Sequence, residues 1–181
     1  IIMNDGRLSD QKDQKTLIRA LCLIAEKYPA WEVRIVGEGE NREFLENLID
    51  QKGLRNRIHL IGTTPNIAQE YKMAQIFAMP SKYESFGLAT AEAMFFGIPA
   101  VGFIECDGTN EIIHDKKNGL LTLRKGNHIE NFSHALETLM KSKKMRETLG
   151  NNAKKDIIKY QPELIVDRWE VLISNIYNAS N

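Results

Sequence analysis

Cysteine is nearly absent from this sequence: Cys22 falls inside an apolar helical pattern and Cys106 in a polar stretch. Two such thiols make neither a disulfide framework nor a metal-ligand cluster, which fits a reducing, cytoplasmic setting. Long apolar runs are missing too. None approaches the roughly 20 residues that a bilayer span needs, and no signal peptide is visible, so any membrane contact is expected to be peripheral, at the inner face. Net charge is also missing, since 24 basic residues balance 24 acidic ones over 181 residues. No global field then draws the chain to nucleic acid or to an anionic surface, and any anion site must be local. What is present is an ordinary globular composition, 43% hydrophobic and 27% charged, enough for one domain with its own core. Ile1 already stands in an apolar stretch, so the sequence reads as part of a longer chain.

Short β-type runs alternate with amphipathic runs until about residue 122. Residues 1–3, 32–37, 58–62, 75–79, 99–103 and 119–122 read as strands. A helix is expected from near Asp13, with Leu17, Leu21, Ile24 and Tyr28 on one face and Pro29 closing it. A second is marked by Phe44, Leu45, Leu48 and Ile49 and ended by Gly53. Others are expected over 66–73, 88–96 and, briefly, 109–114. This alternation implies parallel strands joined by right-handed crossovers, hence a Rossmann-like open α/β sheet of about six strands with helices on both faces. Beyond residue 122 three helices follow, at 128–141, 143–159 and 163–178. In the last, Ile165, Trp169, Leu172 and Ile176 form an apolar stripe that is expected to pack on the sheet domain; the alternative is docking on an absent half of the molecule. The domain reading is a sheet core over 1–122 and helices over 123–181.

Ligands of open α/β sheets sit outside the carboxyl ends of the strands, so the loops there are where chemistry is sought. The first, Gly6-Arg7-Leu8-Ser9-Asp10-Gln11-Lys12, enters a helix whose start carries unpaired amides. With Arg7 and Lys12 it would suit a diphosphate, although both residues also read as solvated surface charges. The second loop, Gly37-Glu38-Gly39-Glu40-Asn41-Arg42, is a tight glycine turn that admits a nucleotide. As a nicotinamide fingerprint it is weak: Arg42 replaces the third glycine, and no acidic residue ends the next strand at Gly62-Thr63-Thr64. The third loop runs from Pro80 into Glu84-Ser85-Phe86-Gly87-Leu88-Ala89-Thr90-Ala91-Glu92. Amides of Phe86, Gly87 and Leu88 would lie near a helix start and face an anion. Glu84 in the loop and Glu92 in the early helix can accept hydrogen bonds from vicinal hydroxyls, while Glu92 also reads as a carboxylate complementing the helix dipole.

The segment ESFGLATAE resembles the E-x7-E motif of the GT-B glycosyltransferases of the large retaining family 4. GRLSDQKD is similar to that family's phosphate loop, WEVRIVGEGENREFLENLI to its second strand, glycine turn and helix, and RIHLIGTT to its third strand and base-proximal loop around Thr63. NEIIHDKKNGLL resembles the segment before its last strand, so the likeness covers nearly the whole chain in order. The resemblance implies a C-terminal donor-binding domain of a GT-B enzyme, with a bacterial polysaccharide flavour. It implies that Arg7 and Lys12 hold the donor diphosphate and stabilise it as leaving group, that Glu84 holds hydroxyls of the donor sugar, and that Glu92 holds the ribose. Gly6, Gly37, Gly39, Thr63, Ser85, Phe86, Gly87 and Leu88 would complete the donor site. It implies no cofactor and no metal, UDP in preference to GDP or ADP, and an acceptor, glycan or lipid-linked, bound by a domain preceding Ile1. Such a fragment would bind nucleotide sugar but transfer nothing alone. Two departures stand out: Asp13 replaces the glycine common after the lysine, and Cys106-Asp107-Gly108 replaces a more frequent double glycine.

Other readings remain. A nucleotide-sugar epimerase or another enzyme of the same fold group would also want a nucleotide site, though a phosphorylase needs a pyridoxal-binding lysine with no convincing context here. A receiver-like signalling domain should cluster acidic residues after strand one, where only Asp5 stands. A non-catalytic interaction module would have no reason to keep Arg7, Lys12, Glu84 and Glu92 together.

Overall fold

Successive side chains of a strand point to opposite faces of its sheet, and here that alternation fills two separate cores. In the computed structural model, which describes residues 1–179, Ile2 of β1 (Ile2–Asp5) packs in one core and Met3 in the other. β2 (Val33–Val36) parts Ile35 from Val36 in the same way. β3 (Ile58–Gly62), β4 (Ile76–Ala78), β5 (Ala100–Phe103) and β6 (Gly119–Thr122) complete a parallel sheet in the order β3-β2-β1-β4-β5-β6. α1 (Gln14–Cys22), α2 (Arg42–Gln51) and α6 (His128–Lys141) cover the first core through Leu17, Leu45, Phe132 and Leu136. α3 (Ile67–Met73), α4 (Leu88–Phe95), the short α5 (Thr109–Ile112) and α7 (Lys143–Ile157) cover the second through Tyr71, Met94, Ile112 and Ala153. This is the doubly covered open sheet that the alternation of strands and helices implies.

Strand order reverses between β1 and β4, and there the sheet opens. The two strands pair only at Ile2↔Ile76 and Met3↔Phe77. One residue further, the buried Asn4 side chain takes over, its Nδ2 donating to the Ala78 carbonyl at 2.8 Å. Such a switch point leaves a crevice at the carboxyl ends of the strands. The loops after β1 and β4 flank it.

The helices depart from expectation in two places. α1 stops at Cys22 instead of running to Tyr28. Arg57, just before β3, donates to the carbonyls of Ala25, Tyr28 and Trp31, and the intervening residues tighten into three-residue turns such as Ile24 N to Leu21 O. The second departure is the C-terminal helix. α7 ends at Ile157, a 3-10 turn covers Ile158–Tyr160, and α8 spans Pro162–Ala179; residues 180 and 181 of the segment lie outside the described residues. No described residue of α8 is buried, and Trp169 is 59% exposed and Leu172 48%. The stripe therefore does not pack on the sheet domain, whose two faces are already occupied by the helices named above. Among the described residues no helix is long and apolar enough to cross a membrane.

Candidate functional site

The loops after β1 and β4 are laced together at the switch point. Lys82 N donates to the Gln11 carbonyl at 2.8 Å, and Gln11 Nε2 donates to the Tyr83 carbonyl at 3.0 Å. Between these ties, Lys12 Nζ donates to both oxygens of Glu84, at 2.7 and 2.9 Å, with the two side chains 20% and 8% exposed. The structure thus joins the cation of one loop to the first carboxylate of the other. Asp107 supports the same loop from β5, its carbonyl accepting from Glu84 N at 3.2 Å. Gly108 lies so close to the loop that a Cβ there would come within 2.5 Å of the Glu84 carbonyl oxygen. The Cys106-Asp107-Gly108 departure therefore keeps the loop braced.

The glycine turn after β2 packs backbone to backbone against the loop after β1. Gly6 N donates to the Val36 carbonyl, Leu8 N to that of Glu38 and Asn41 N to that of Leu8. Gly37 adopts φ 128°, and a Cβ there would stand 2.2 Å from the Gly6 carbonyl oxygen, an approach no side chain permits. Gly39 faces the Leu8 backbone as closely. Arg7 is paired outside this cluster: its Nε donates to Glu40 at 3.0 Å in an ion pair whose side chains are 73% and 55% exposed.

Glu92 occupies the fifth position of α4, beyond the first turn, too far along for the helix dipole to explain it. Its exposed carboxylate instead accepts from the Tyr71 hydroxyl at 2.9 Å. The same hydroxyl stands 3.1 Å from Asp5 at the end of β1. The single phenolic hydrogen is shared between the two carboxylates or given to one of them at a time. Burial pushes Asp5 above the ordinary carboxylate range, the Tyr71 hydrogen bond opposes this, the Glu92 charge adds to it and Lys12 opposes it. Burial and the two neighbouring carboxylates hold the Tyr71 phenol protonated. Glu84, Lys12, Asp5, Tyr71 and Glu92 so form one electrostatic chain across the crevice.

Of the remaining expected residues, Ser85, Phe86, Gly87 and Leu88 continue from Glu84 into α4, whereas Thr63 lies apart. Gly87 caps α4 in a left-handed conformation, φ 82°, and the first amides of a helix, here from Leu88, have no intrahelical partner. Ser85 is exposed, and Phe86 turns its ring edge-on to Tyr160 at 5.0 Å. Thr63 is exposed at the end of β3, on the outer edge of the sheet and away from the Lys12–Glu84 pair. Asp5, Gln11 and Tyr71 escaped the sequence reading as partners of the site. Asp5 carried one weak signal, as an acidic residue closing the first strand, whereas Tyr71 read only as a residue of an amphipathic helix.

Comparison with known proteins agrees with this architecture. Residues 1–156 match the family model described as glycosyl transferases group 1. An uncharacterised glycosyltransferase of Haemophilus influenzae is 28% identical over 172 residues, covering 95% of this chain and 48% of that protein. The chain thus spans about half the length of that relative. Among solved structures, a variant of TarM from S. aureus, in complex with fondaparinux, alpha-GlcNAc-glycerol and UDP, superposes with a TM-score of 0.87 at 28% identity, covering 94% of this chain and 35% of TarM. The C-terminal domain of a group 1 glycosyl transferase family protein, LpcC from Francisella tularensis, superposes with a TM-score of 0.75 at 25% identity, covering 88% of this chain and 85% of that one. By the family match and the fold it accompanies, this chain belongs to the group 1 glycosyl transferases.

Proposed function

We propose that this chain is the donor-binding domain of a retaining glycosyltransferase that moves a hexose or N-acetylhexosamine from a nucleoside diphosphate, UDP for preference, to a glycan or lipid-linked acceptor. The observation that best supports this reading is the Lys12–Glu84 pair, a cation and a carboxylate side by side at the switch point. Lys12 and Arg7 neutralise the diphosphate as it leaves, a task that side chains and helix amides perform without a metal. Arg7 leaves Glu40 readily, because exposed ion pairs contribute only about 0–1 kcal/mol. Glu84 accepts from the donor sugar and Glu92 from the ribose, while amides around Phe86, Gly87 and Leu88 face sugar and phosphate. Gly37, Gly39 and Thr63 border the base.

The UDP in the TarM complex supports the choice of nucleotide, and the share of its relatives that this chain spans supports an acceptor domain elsewhere in the full protein. A cytoplasmic setting, peripheral to the inner membrane face, suits a lipid-linked acceptor. The domain alone then binds donor and transfers nothing. A thermal-shift panel of UDP, GDP, ADP and their sugars tests the reading. A ligand at a hundred times its dissociation constant adds about 2.7 kcal/mol, which moves the midpoint of a chain this size by several degrees. Flat midpoints across the panel at saturating concentrations would sink the proposal.

A further inference from the structure

Asp13 follows Lys12 directly and sits in the left-handed region, φ 51° and ψ 38°. Glycine fits this region without cost, and aspartate enters it more readily than most other residues. Its carboxylate adds contacts that glycine could not make. It does not cap α1, although a carboxylate at that position ordinarily accepts the first helix amides. It is 3% exposed and turned inward, accepting from Thr16 Oγ1 at 2.9 Å and from Arg124 Nη1 at 2.8 Å.

Arg124 arrives from the loop after β6, 111 residues away and at the opposite edge of the sheet from β3. Its Nη2 donates to the carbonyls of Pro80 and Ser81, where the donor loop leaves β4. The guanidinium lies 4.0 Å above the Phe103 ring, and the Arg124 backbone amide donates to Glu105 at 2.9 Å. One fork thus grips both loops of the site: the residue after Lys12 on one side, the residues leading to Glu84 on the other.

We propose that Arg124 is a positioning residue of the donor site, holding the Lys12 loop in its phosphate-binding conformation through Asp13 and fixing it against the Pro80–Glu84 loop. The inference rests on the donor-site reading above, and it assigns to Asp13 and Arg124 jointly what glycine flexibility alone would leave loose. Neither residue need touch the ligand. The role is distinct from bulk stability, because the fork bears on the phosphate loop and on no element at the base-proximal end, where Gly62 and Thr63 lie.

The test uses this chain, titrated with UDP and with uridine by calorimetry and NMR, in the parent form and as Arg124→Lys, Arg124→Met and the double variant D13G/R124M. Arg124→Met is expected to weaken UDP at least tenfold while uridine stays within about twofold. Arg124→Lys keeps the charge but not the fork, and is expected to fall between. The double variant removes both buried charges and supplies the glycine that the backbone conformation accepts. It should regain the parent's melting midpoint without regaining UDP affinity. A double variant that binds UDP within twofold of the parent overturns the positioning role. Parallel losses of UDP and uridine overturn it as well, by showing general damage. A parent that binds neither compound brings down the donor-site reading itself, and the inference with it.

Discussion

Lys12 Nζ touches both oxygens of Glu84 although 72 residues separate them in the chain. The pair neutralises itself, and on the function proposed above a nucleotide sugar would divide it, phosphate drawing on the lysine and hydroxyls on the carboxylate. The two side chains should then fail differently. Lys12→Met is expected to weaken UDP at least tenfold, or about 1.4 kcal/mol. It should also lower stability by about 1–3 kcal/mol, since it strands a mostly buried carboxylate. Glu84→Gln should leave UDP affinity within a few-fold and lose the preference for UDP-sugar over UDP. Calorimetry of both ligands on both variants checks the division of roles, and undiminished UDP binding by Lys12→Met refutes it.

Asp5 supplies a pH signature. Unfolded, its carboxyl titrates near 3.8; folded, burial raises it. Between those two values the native state holds more protons than the denatured state, so stability falls as pH rises through that window. The contribution is fully present below the unfolded value and gone above the folded one. Asp5→Asn keeps an acceptor for Tyr71 without the charge. Urea midpoints of parent and variant, compared from about pH 3 to pH 7, should diverge as pH increases, with the variant increasingly the more stable. A difference that stays constant with pH contradicts the raised value.

How much of this was legible in the sequence depends on distance along the chain. The sheet was readable because alternation and helical spacing are local, and the strands lie within a residue or two of the runs that announced them. Lys12, Glu84 and Glu92 were nameable through the resemblance of their motifs, each motif being contiguous. Arg57 was not, because it ends α1 from about 30 residues away by taking carbonyls that no pattern marks. Tyr71 and Arg124 were hidden for the same reason, bonding to Asp5 and Asp13 across 66 and 111 residues. The failure at α8 has a different cause. Its amphipathic period is real, but a period tells which face is apolar and not what covers it.

The close approach at Gly37 gives a prediction about the phosphate loop that involves no charged group. Alanine there combines φ 128° with a Cβ 2.2 Å from the Gly6 carbonyl oxygen. The loops after β1 and β2 must then part, which is expected to cost about 1–3 kcal/mol in strain and displaced backbone. UDP binding should weaken along with it, because Gly6 anchors the loop that carries Arg7 and Lys12. Gly53→Ala is the control: its φ is also positive, at 65° in the milder left-handed helical region, and nothing lies within 4 Å of the new methyl. Denaturation midpoints and UDP titrations of the pair separate backbone strain from loop displacement. Equal losses of UDP affinity in both variants would remove Gly37 from the account of the site.

The exposed face of α8 leads to a prediction about the rest of the protein. Leu164, Val166, Trp169, Leu172 and Ile173 are all exposed on this helix, and the acceptor domain proposed above would give them a cover. Since no described residue of the helix is buried, deleting residues from 162 onward should shift the melting midpoint of this chain by no more than a degree or two. Trp169 reports on the cover directly. With Trp31→Phe removing the other indole, Trp169 emission from this chain should be that of a solvated indole and open to acrylamide quenching. In the full-length protein, where we expect the acceptor domain to take up this face, the emission should shift to the blue and the quenching fall several-fold. Unchanged emission in the full-length protein would leave α8 uncovered there too, and would refute the docking of this helix on the other domain.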